Sequence, residues 1–231
     1  MSKKTSDKTE VRVEGVEHAL SRAEQFIEKY QKQIVKAVGA ILVVIALYVA
    51  FQQYYVEGRS IKAAEQMAAA EDYFNKRHDW ERALYGDGNE MGFEDIITEF
   101  RFTRTANLAK YYAGVCCLHL GEYEDAISYL SKFKTKDIIL SSIALGGIGD
   151  AYAQLGENDK ALSFYKKAAE KNANDYTSPL YLLRAGVLLE EEGNLTEAGK
   201  IYERIKIDYP TSAEGRDIDK YIARIKALTD N

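Results

Sequence analysis

Residues 144–170 read ALGGIGDAYAQLGENDKALSFYKKAAE, and the spacing of their small residues recurs on both sides of the stretch. Here Gly149, Gly156 and Ala161 are separated by seven and then five positions. The same two intervals separate the members of an upstream and a downstream triplet, which are Gly114, Gly121, Ala126 and Gly186, Gly193, Ala198. The triplets begin 35 and 37 residues apart. A period of this length predicts an array of short structural repeats.

Each position of the triplet requires a small residue for its own physical reason. A glycine inside a helix costs about 1 kcal/mol relative to alanine, so the first position predicts close approach of a neighbouring helix. The second glycine predicts a helix end in the left-handed conformation, and the alanine predicts the crossing point of two helices. The pattern therefore predicts three helical hairpins and an all-α fold, which agrees with only 2 prolines in 231 residues.

The three copies resemble the tetratricopeptide repeat (TPR). In the middle copy the family's turn corresponds to Leu155-Gly156, its aromatic residue to Tyr152, and its packing positions to Ala161, Tyr165 and Ala168. The first copy has Cys117 in place of the aromatic residue, and the third ends at Pro210. The resemblance implies a TPR α-solenoid that binds other proteins, with repeats at 107–140, 142–175 and 179–212.

Both ends of the array need capping elements, because a terminal repeat has no neighbour on its outer side. Residues 57–106 are predicted to form a degenerate first helical pair, with helices at 60–77 and 92–100 joined by a long loop at 78–91. Residues 213–231 are predicted to form a closing helix, whose apolar face consists of Ile218, Ile222, Ile225 and Leu228.

Upstream, residues 37–56 (AVGAILVVIALYVAFQQYYV) contain no charged side chain. As a helix this run is about 30 Å long, the thickness of a bilayer's hydrocarbon core. A cleaved signal peptide is the alternative, but residues 1–36 are too long for its charged region and no small-x-small site follows. We therefore predict a single N-terminal transmembrane helix in front of the solenoid.

Charge indicates the orientation of this helix. Four basic residues precede it closely, against three that follow: Arg22, Lys29, Lys32, Lys36 and then Arg59, Lys62, Lys76. The positive-inside rule predicts a cytoplasmic arm at 1–36 and a C-terminal domain on the other side of the membrane. A helix inserted the other way would instead present the repeats to the cytoplasm.

The arm has an apolar heptad seam over 13–34, formed by Val13, Val16, Leu20, Ala23, Ile27, Tyr30 and Ile34. Such a seam is typical of an amphipathic helix that lies on the membrane or continues the span, and also of a helix that docks or forms a dimer. Both interpretations stay open.

Several functions are not expected. The net charge of -5 disfavours nucleic acid as a partner. On one helix, Cys116, Cys117 and His119 project in three directions and cannot converge on a metal ion. The loop around Asp87 lacks two of the oxygen ligands of a calcium loop. With no catalytic constellation either, we expect no metal, no cofactor and no enzymatic activity.

The working surface is predicted from the positions of the first helix of each repeat that face the groove. They are Leu108, Tyr111, Val115, Leu118, Ile143, Asp150, Ala153, Leu180, Leu183, Val187 and Glu190. Such a lining predicts binding of apolar or amphipathic segments, with Asp150 and Glu190 favouring flanking lysine or arginine. The alternative is that the helix at 60–77 and the closing helix cover the two ends of this surface.

A carboxylate clamp, which some TPR domains use to hold a chaperone's C terminus, is not expected. The clamp positions fall on Tyr111, Val115, Gly147, Leu180 and Arg184, and only the arginine is suited to the role.

In architecture the whole chain resembles membrane-anchored TPR proteins of the bacterial inner membrane, particularly the ancillary Sec-translocon subunit of the YfgM type. Its loop sequence and tyrosine-rich repeats are also similar to TPR proteins of Bacteroidota. The resemblance implies a periplasmic adaptor whose partners are translocon subunits, envelope chaperones or client segments. Two alternatives are a structural assembly factor of an envelope secretion or biogenesis machine and a cytoplasm-facing TPR scaffold.

Overall fold

A computed structural model describes residues 29–230, and no β-strand occurs within that range. Most of the predicted arm at 1–36, including the seam residues from Val13 to Ile27, lies outside the described residues. The chain divides into two compact units, Met1–Val56 and Glu57–Asn231, each of which is considered by itself.

The first unit contains helix α1, residues 29–50, followed by the π-helical turn Phe51–Val56. Most of the apolar side chains of α1 are exposed, among them Leu42, Val44 and Leu47. The helical run Lys29–Arg77 contains an 18-residue window with a mean hydropathy of 2.6, none of it buried. This run is long and apolar enough to cross a membrane, although an N-terminal signal sequence satisfies the same criterion.

The second unit consists of packed helices. In chain order they are α2 Glu57–Asp72 with the π-helical turn Tyr73–Arg77, α3 Trp80–Tyr85, α4 Phe93–Glu99, α5 Arg104–Leu120, α6 Tyr123–Lys132, α7 Ile138–Gln154, α8 Asn158–Glu170, α9 Thr177–Glu191, α10 Leu195–Asp208 and α11 Ala213–Thr229. The pairs α5/α6, α7/α8 and α9/α10 form three hairpins, and α11 packs against α10.

The region at 57–106 differs from the predicted helical pair, because helix α3 lies inside the expected loop at 78–91. The Asp79 side chain accepts a hydrogen bond from the Arg82 amide at 3.1 Å and so caps this helix. Ala83 and Leu84 are buried in the core that also contains Phe93. Core packing therefore stabilises a helix that is too short to show a clear periodicity in the sequence.

The first helices of the hairpins begin two to four residues before the predicted repeat boundaries. Side-chain caps explain the two larger differences. Thr103 Oγ1 accepts a hydrogen bond from the Ala106 amide at 3.0 Å. Asp137 Oδ1 accepts hydrogen bonds from the amides of Ile139 and Leu140 at 2.9 and 2.8 Å. Each cap satisfies backbone donors that a helix start would otherwise leave without partners.

The predicted roles of the small residues are confirmed. A Cβ atom on Gly114, Gly149 or Gly186 would lie 2.5, 2.7 or 2.4 Å from the side chain of the facing helix, which is Leu130, Tyr165 or Tyr202. The turn glycines have φ angles of 80°, 73° and 76° at Gly121, Gly156 and Gly193. The crossing-point alanines are fully buried: Ala126, Ala161 and Ala198. The spacing of these small residues in the sequence therefore corresponds to contacts between the two helices of each hairpin.

We expect Ala161→Leu to lower the melting temperature of the domain. The Ala161 carbonyl oxygen would lie 3.3 Å from a Cβ on Gly149, so α7 and α8 leave no room for a larger side chain. Overpacking of this kind costs roughly 1 to 3 kcal/mol. Thermal unfolding followed by circular dichroism measures the change, with the exposed Ser163→Leu in the same helix as the control. Equal melting temperatures for the two variants would show that the register is wrong.

Candidate binding groove on the first helices

Helices α5, α7 and α9 border two adjoining cavities. A cavity of about 510 Å³ is lined by α5 and α7 and by residues that project from α6 and α9. A second cavity of about 450 Å³ lies mainly between α7 and α9. Asp150 and Arg184 line both cavities. We call the two cavities together the groove.

The eleven side chains predicted to face the groove are all half-buried, so none belongs to the fully buried core. Nine of them line the groove: Tyr111, Val115, Leu118, Ile143, Asp150, Ala153, Leu180, Leu183 and Val187. Leu108 and Glu190 line neither cavity. Leu108 packs against the apolar core instead, and Glu190 forms an ion pair with Arg224 of α11.

An acid, an arginine and a tyrosine meet at the junction of the two cavities. The Asp150 carboxylate accepts hydrogen bonds from the Arg184 guanidinium group and from the Tyr165 hydroxyl, the latter at 2.9 Å. The guanidinium carbon also lies 5.6 Å from the centre of the Tyr181 ring. Burial lowers the pKa of Arg184, but the Asp150 carboxylate outweighs it and raises that pKa overall. A charged pair therefore connects α7 to α9 across the groove.

The same arrangement recurs one repeat later. Arg224 Nε lies 2.6 Å from Glu190 Oε1, and the Tyr202 hydroxyl donates to Glu190 Oε2 at 3.0 Å. Burial raises the pKa of Glu190, but hydrogen bonds from Arg224 and Tyr202 outweigh it, so the pKa lies below its ordinary value. In both clusters the arginine follows its acid by 34 residues.

These pairings bear on one expectation from the sequence. Asp150 and Glu190 were expected to attract lysine or arginine in a partner, but each carboxylate already has an arginine of this chain. A partner cation would therefore share these carboxylates with an arginine of the chain.

We expect the contribution of Glu190 to stability to depend on pH. Because the pKa of Glu190 is lowered in the folded state, its contribution is present above the unfolded value of about 4.3 and is lost as pH falls through the folded value. Glu190→Gln should cost roughly 1 to 3 kcal/mol at pH 7, since it weakens hydrogen bonds to a charged group. Thermal melts at pH 7 and near pH 3 test this. If the difference in melting temperature between Glu190→Gln and the wild type became larger at the lower pH, the assignment of a lowered pKa to Glu190 would be wrong.

The groove also contains residues that the sequence reasoning missed. The Tyr181 ring occupies the space beside Gly146, where a Cβ would lie 1.9 Å from it. Gly147 faces Leu118 and Leu130. The adjacent glycines in the middle of α7 were a usable signal, because two consecutive glycines inside a helix predict close packing on two sides. Further lining residues are His119, Tyr123 and Gln154.

The residues that the structure describes offer little support for a metal site or for a cysteine nucleophile. Residues 29–230 contain no group of three His, Cys, Asp or Glu placed to hold a metal ion. Cys116 and Cys117 are buried free thiols. Burial raises the pKa of both, that of Cys116 to about 12, so neither is an activated nucleophile.

The loop around Asp87, compared above with a calcium-binding loop, is a turn held together by hydrogen bonds to the Asp87 carboxylate. Asp87 Oδ1 accepts hydrogen bonds from the backbone amides of Glu90 and Asn89, at 2.8 and 2.9 Å, and Oδ2 accepts one from the Tyr73 hydroxyl at 2.8 Å. These bonds lower the pKa of Asp87 to about 2. The carboxylate thus stabilises the turn.

Comparison with known proteins identifies the repeats. Residues 147–213 match the tetratricopeptide repeat family. The match covers most of the second predicted copy and all of the third, and the hairpin α5/α6 follows the same small-residue pattern. No curated protein matches the chain. Together the match and the helical hairpins support a TPR protein, a fold that typically binds protein partners and is typically not catalytic.

Proposed function

We propose that the chain is a membrane-anchored adaptor whose groove binds apolar or amphipathic segments of partner proteins at the bacterial inner membrane. The observation that carries this proposal is the groove itself, which nine predicted side chains line without being buried in the core. By its resemblance, the adaptor would act beside the Sec translocon, with translocon subunits, envelope chaperones or client segments as partners.

The two cavities differ in a way that favours an amphipathic helix as the ligand. The second cavity presents mainly aliphatic groups, from Leu180, Leu183 and Val187. The first adds polar atoms at its rim, where the Tyr123 hydroxyl lies 3.4 Å from Gln154 Oε1. An apolar helix face fits the aliphatic part, while polar side chains beside that face can bond to the rim.

Residues 37–56 serve as the anchor in this proposal. They are uncharged, they belong to a helical segment, and the apolar side chains from Ile41 to Phe51 are exposed. Burying these side chains in a bilayer would remove a large apolar surface from water. The charge excess before the run favours a periplasmic position for the repeats.

Position-specific crosslinking tests the groove. A photo-crosslinking amino acid is placed at Val115 or Val187 in the groove, or at Ile207, an exposed control position on α10. In cells, we expect both groove positions to capture the same proteins, identified by mass spectrometry. The control position should not capture them. Equal capture from Ile207 would show that the groove is not the binding site.

We also expect a C-terminal fusion to report a periplasmic domain. A reporter that fluoresces only in the cytoplasm, attached after Asn231, should stay dark because the single span carries the repeats across the membrane. The control fusion carries the same reporter in front of residue 1 and should fluoresce. A bright C-terminal fusion would favour the cytoplasm-facing scaffold.

A further inference from the structure

Hydrogen bonds bring two loops together at the N-terminal ends of α5 and α7. The Asn107 side-chain amide donates to the Lys134 carbonyl at 2.7 Å, and its oxygen accepts from the Lys134 amide at 3.1 Å. Successive helices of the hairpins are antiparallel, so both loops lie on the same edge of the array. We call residues 100–104 and 131–138 the basic edge.

The basic edge contains exposed cations without acidic partners. Within the part of the chain that the structure describes, no carboxylate lies within ion-pair distance of Arg101, Arg104, Lys134 or Lys136. The acid of this edge is Asp137, which caps α7.

The opposite edge, formed by the turns inside the hairpins, has the reverse charge. Its acids are Glu122, Glu124, Asp125, Glu157, Asp159, Glu191, Glu192 and Glu197. Two lysines beside them are already paired, Lys160 with Glu157 and Lys200 with Glu197. The turns inside the hairpins are therefore acidic, whereas the two loops of the basic edge carry mostly cations.

Helix dipoles do not account for the basic edge. Arg104 lies in the first turn of α5, and Lys136 immediately precedes the cap of α7. A cation near a helix N-terminus is unfavourable for the helix, where an acid would be favourable. The helix dipoles therefore give no local reason for these cations.

Exposed apolar side chains alternate with these cations. Phe102 is 73% exposed, and its φ of 75° lies in a region that non-glycine residues avoid. Ile138 is 51% exposed. Beside Phe102 is a cavity of about 620 Å³, to which Arg101 and Lys110 contribute cations and Asn107 an amide. Cations interleaved with exposed apolar side chains are typical of surfaces that lie on lipid headgroups.

We propose that the basic edge binds the headgroups of anionic phospholipids. The cations pair with lipid phosphates, while Phe102 and Ile138 enter the boundary between headgroups and acyl chains. The exposed apolar side chains beside the cations favour a lipid surface, which offers both phosphates and an apolar boundary. The inference rests on the proposed membrane anchor, which would hold the domain near a bilayer.

Quenching by brominated lipid tests this contact on the full chain in nanodiscs. Phe102→Trp adds a reporter on the basic edge. The single native tryptophan, Trp80, is the internal control because it stacks on His119 near the other end of α5, with ring centres 4.0 Å apart. With brominated phosphatidylglycerol we expect the added tryptophan to be quenched at least twofold more than Trp80. With brominated phosphatidylcholine alone we expect no difference between them.

Charge reversal tests whether the excess quenching depends on the cations of the basic edge and not on a change in folding. Arg104→Glu together with Lys136→Glu should remove the excess quenching, and both changes place an acid where a helix dipole favours it. The matched control is Lys166→Glu with Lys226→Glu, two exposed positions away from this edge, which should leave the quenching unchanged.

Four other results would each overturn part of this proposal. A chain that enters nanodiscs without excess quenching would overturn the lipid contact and leave the anchor intact. Unchanged quenching after charge reversal at residues 104 and 136 would do the same. Binding of soluble polyglutamate to the basic edge, without quenching, would assign the edge to an acidic protein instead. A chain that does not enter nanodiscs would overturn the anchor, and this inference with it.

Discussion

Replacing Leu183 and Val187 together with aspartate is expected to reduce partner binding in the groove by at least about 100-fold. Both side chains line the second cavity, where an apolar helix face would be buried on binding. Central apolar contacts of an interface contribute about 2 kcal/mol or more each, and a buried carboxylate adds a desolvation cost. The measurement is the yield of crosslinks from a photo-crosslinker at Val115, which the substitutions leave in place.

Controls for this variant separate binding from folding. Leu183 also packs partly on the core, so circular dichroism must show retained helix content and melting behaviour. A second variant, Ile143→Asp, changes the first cavity at a side chain outside the buried clusters. The matched control is Ile207→Asp with Leu228→Asp, two exposed positions outside the groove.

Salt should have little effect on this binding, because Asp150 and Glu190 are already paired within the chain. If the Leu183 and Val187 double variant still recovers the same crosslinked partners, the groove is not the site. The apolar seam at 13–34 then becomes the better candidate for partner binding.

Tyr202→Ala is expected to have the largest effect on stability. Its ring is fully buried against Gly186, and its hydroxyl donates to Glu190 at 3.0 Å. Removing a buried aromatic ring costs about 3 to 5 kcal/mol, a large share of the 5 to 15 kcal/mol that stabilises a typical domain. Equilibrium unfolding in urea, followed by circular dichroism, measures the loss.

Two further substitutions separate the contribution of the buried Tyr202 ring from that of its hydroxyl group and from that of an exposed ring. Tyr202→Phe keeps the ring and removes one hydrogen bond to a charged group, which should cost about 1.5 to 3 kcal/mol. Tyr176→Ala removes a ring that is 80% exposed and should change stability by less than about 0.5 kcal/mol. A cost at Tyr202 as small as that at Tyr176 would show that α9 and α10 do not cross as described.

The sequence by itself was sufficient for the helical hairpins. Gly149, Gly156 and Ala161 each report a contact made within one hairpin, and short-range contacts of this kind leave a fixed spacing in the sequence. Because the spacing shows which side of each helix faces its partner helix, it also predicts which side chains lie half-buried on the groove side. Nine of the eleven predicted residues line the two cavities for this reason.

Tertiary structure alone decided three further features. Helix α3 depends on the burial of Ala83 and Leu84 against distant residues of the core. The pairing of Asp150 with Arg184 joins different hairpins, and no local pattern states which arginine will reach which acid. The basic edge likewise appears only when the loops at 100–104 and 131–138 are brought side by side. Periodicity records which face of a helix is buried, whereas charge pairing depends on distances between helices, which a single sequence does not contain.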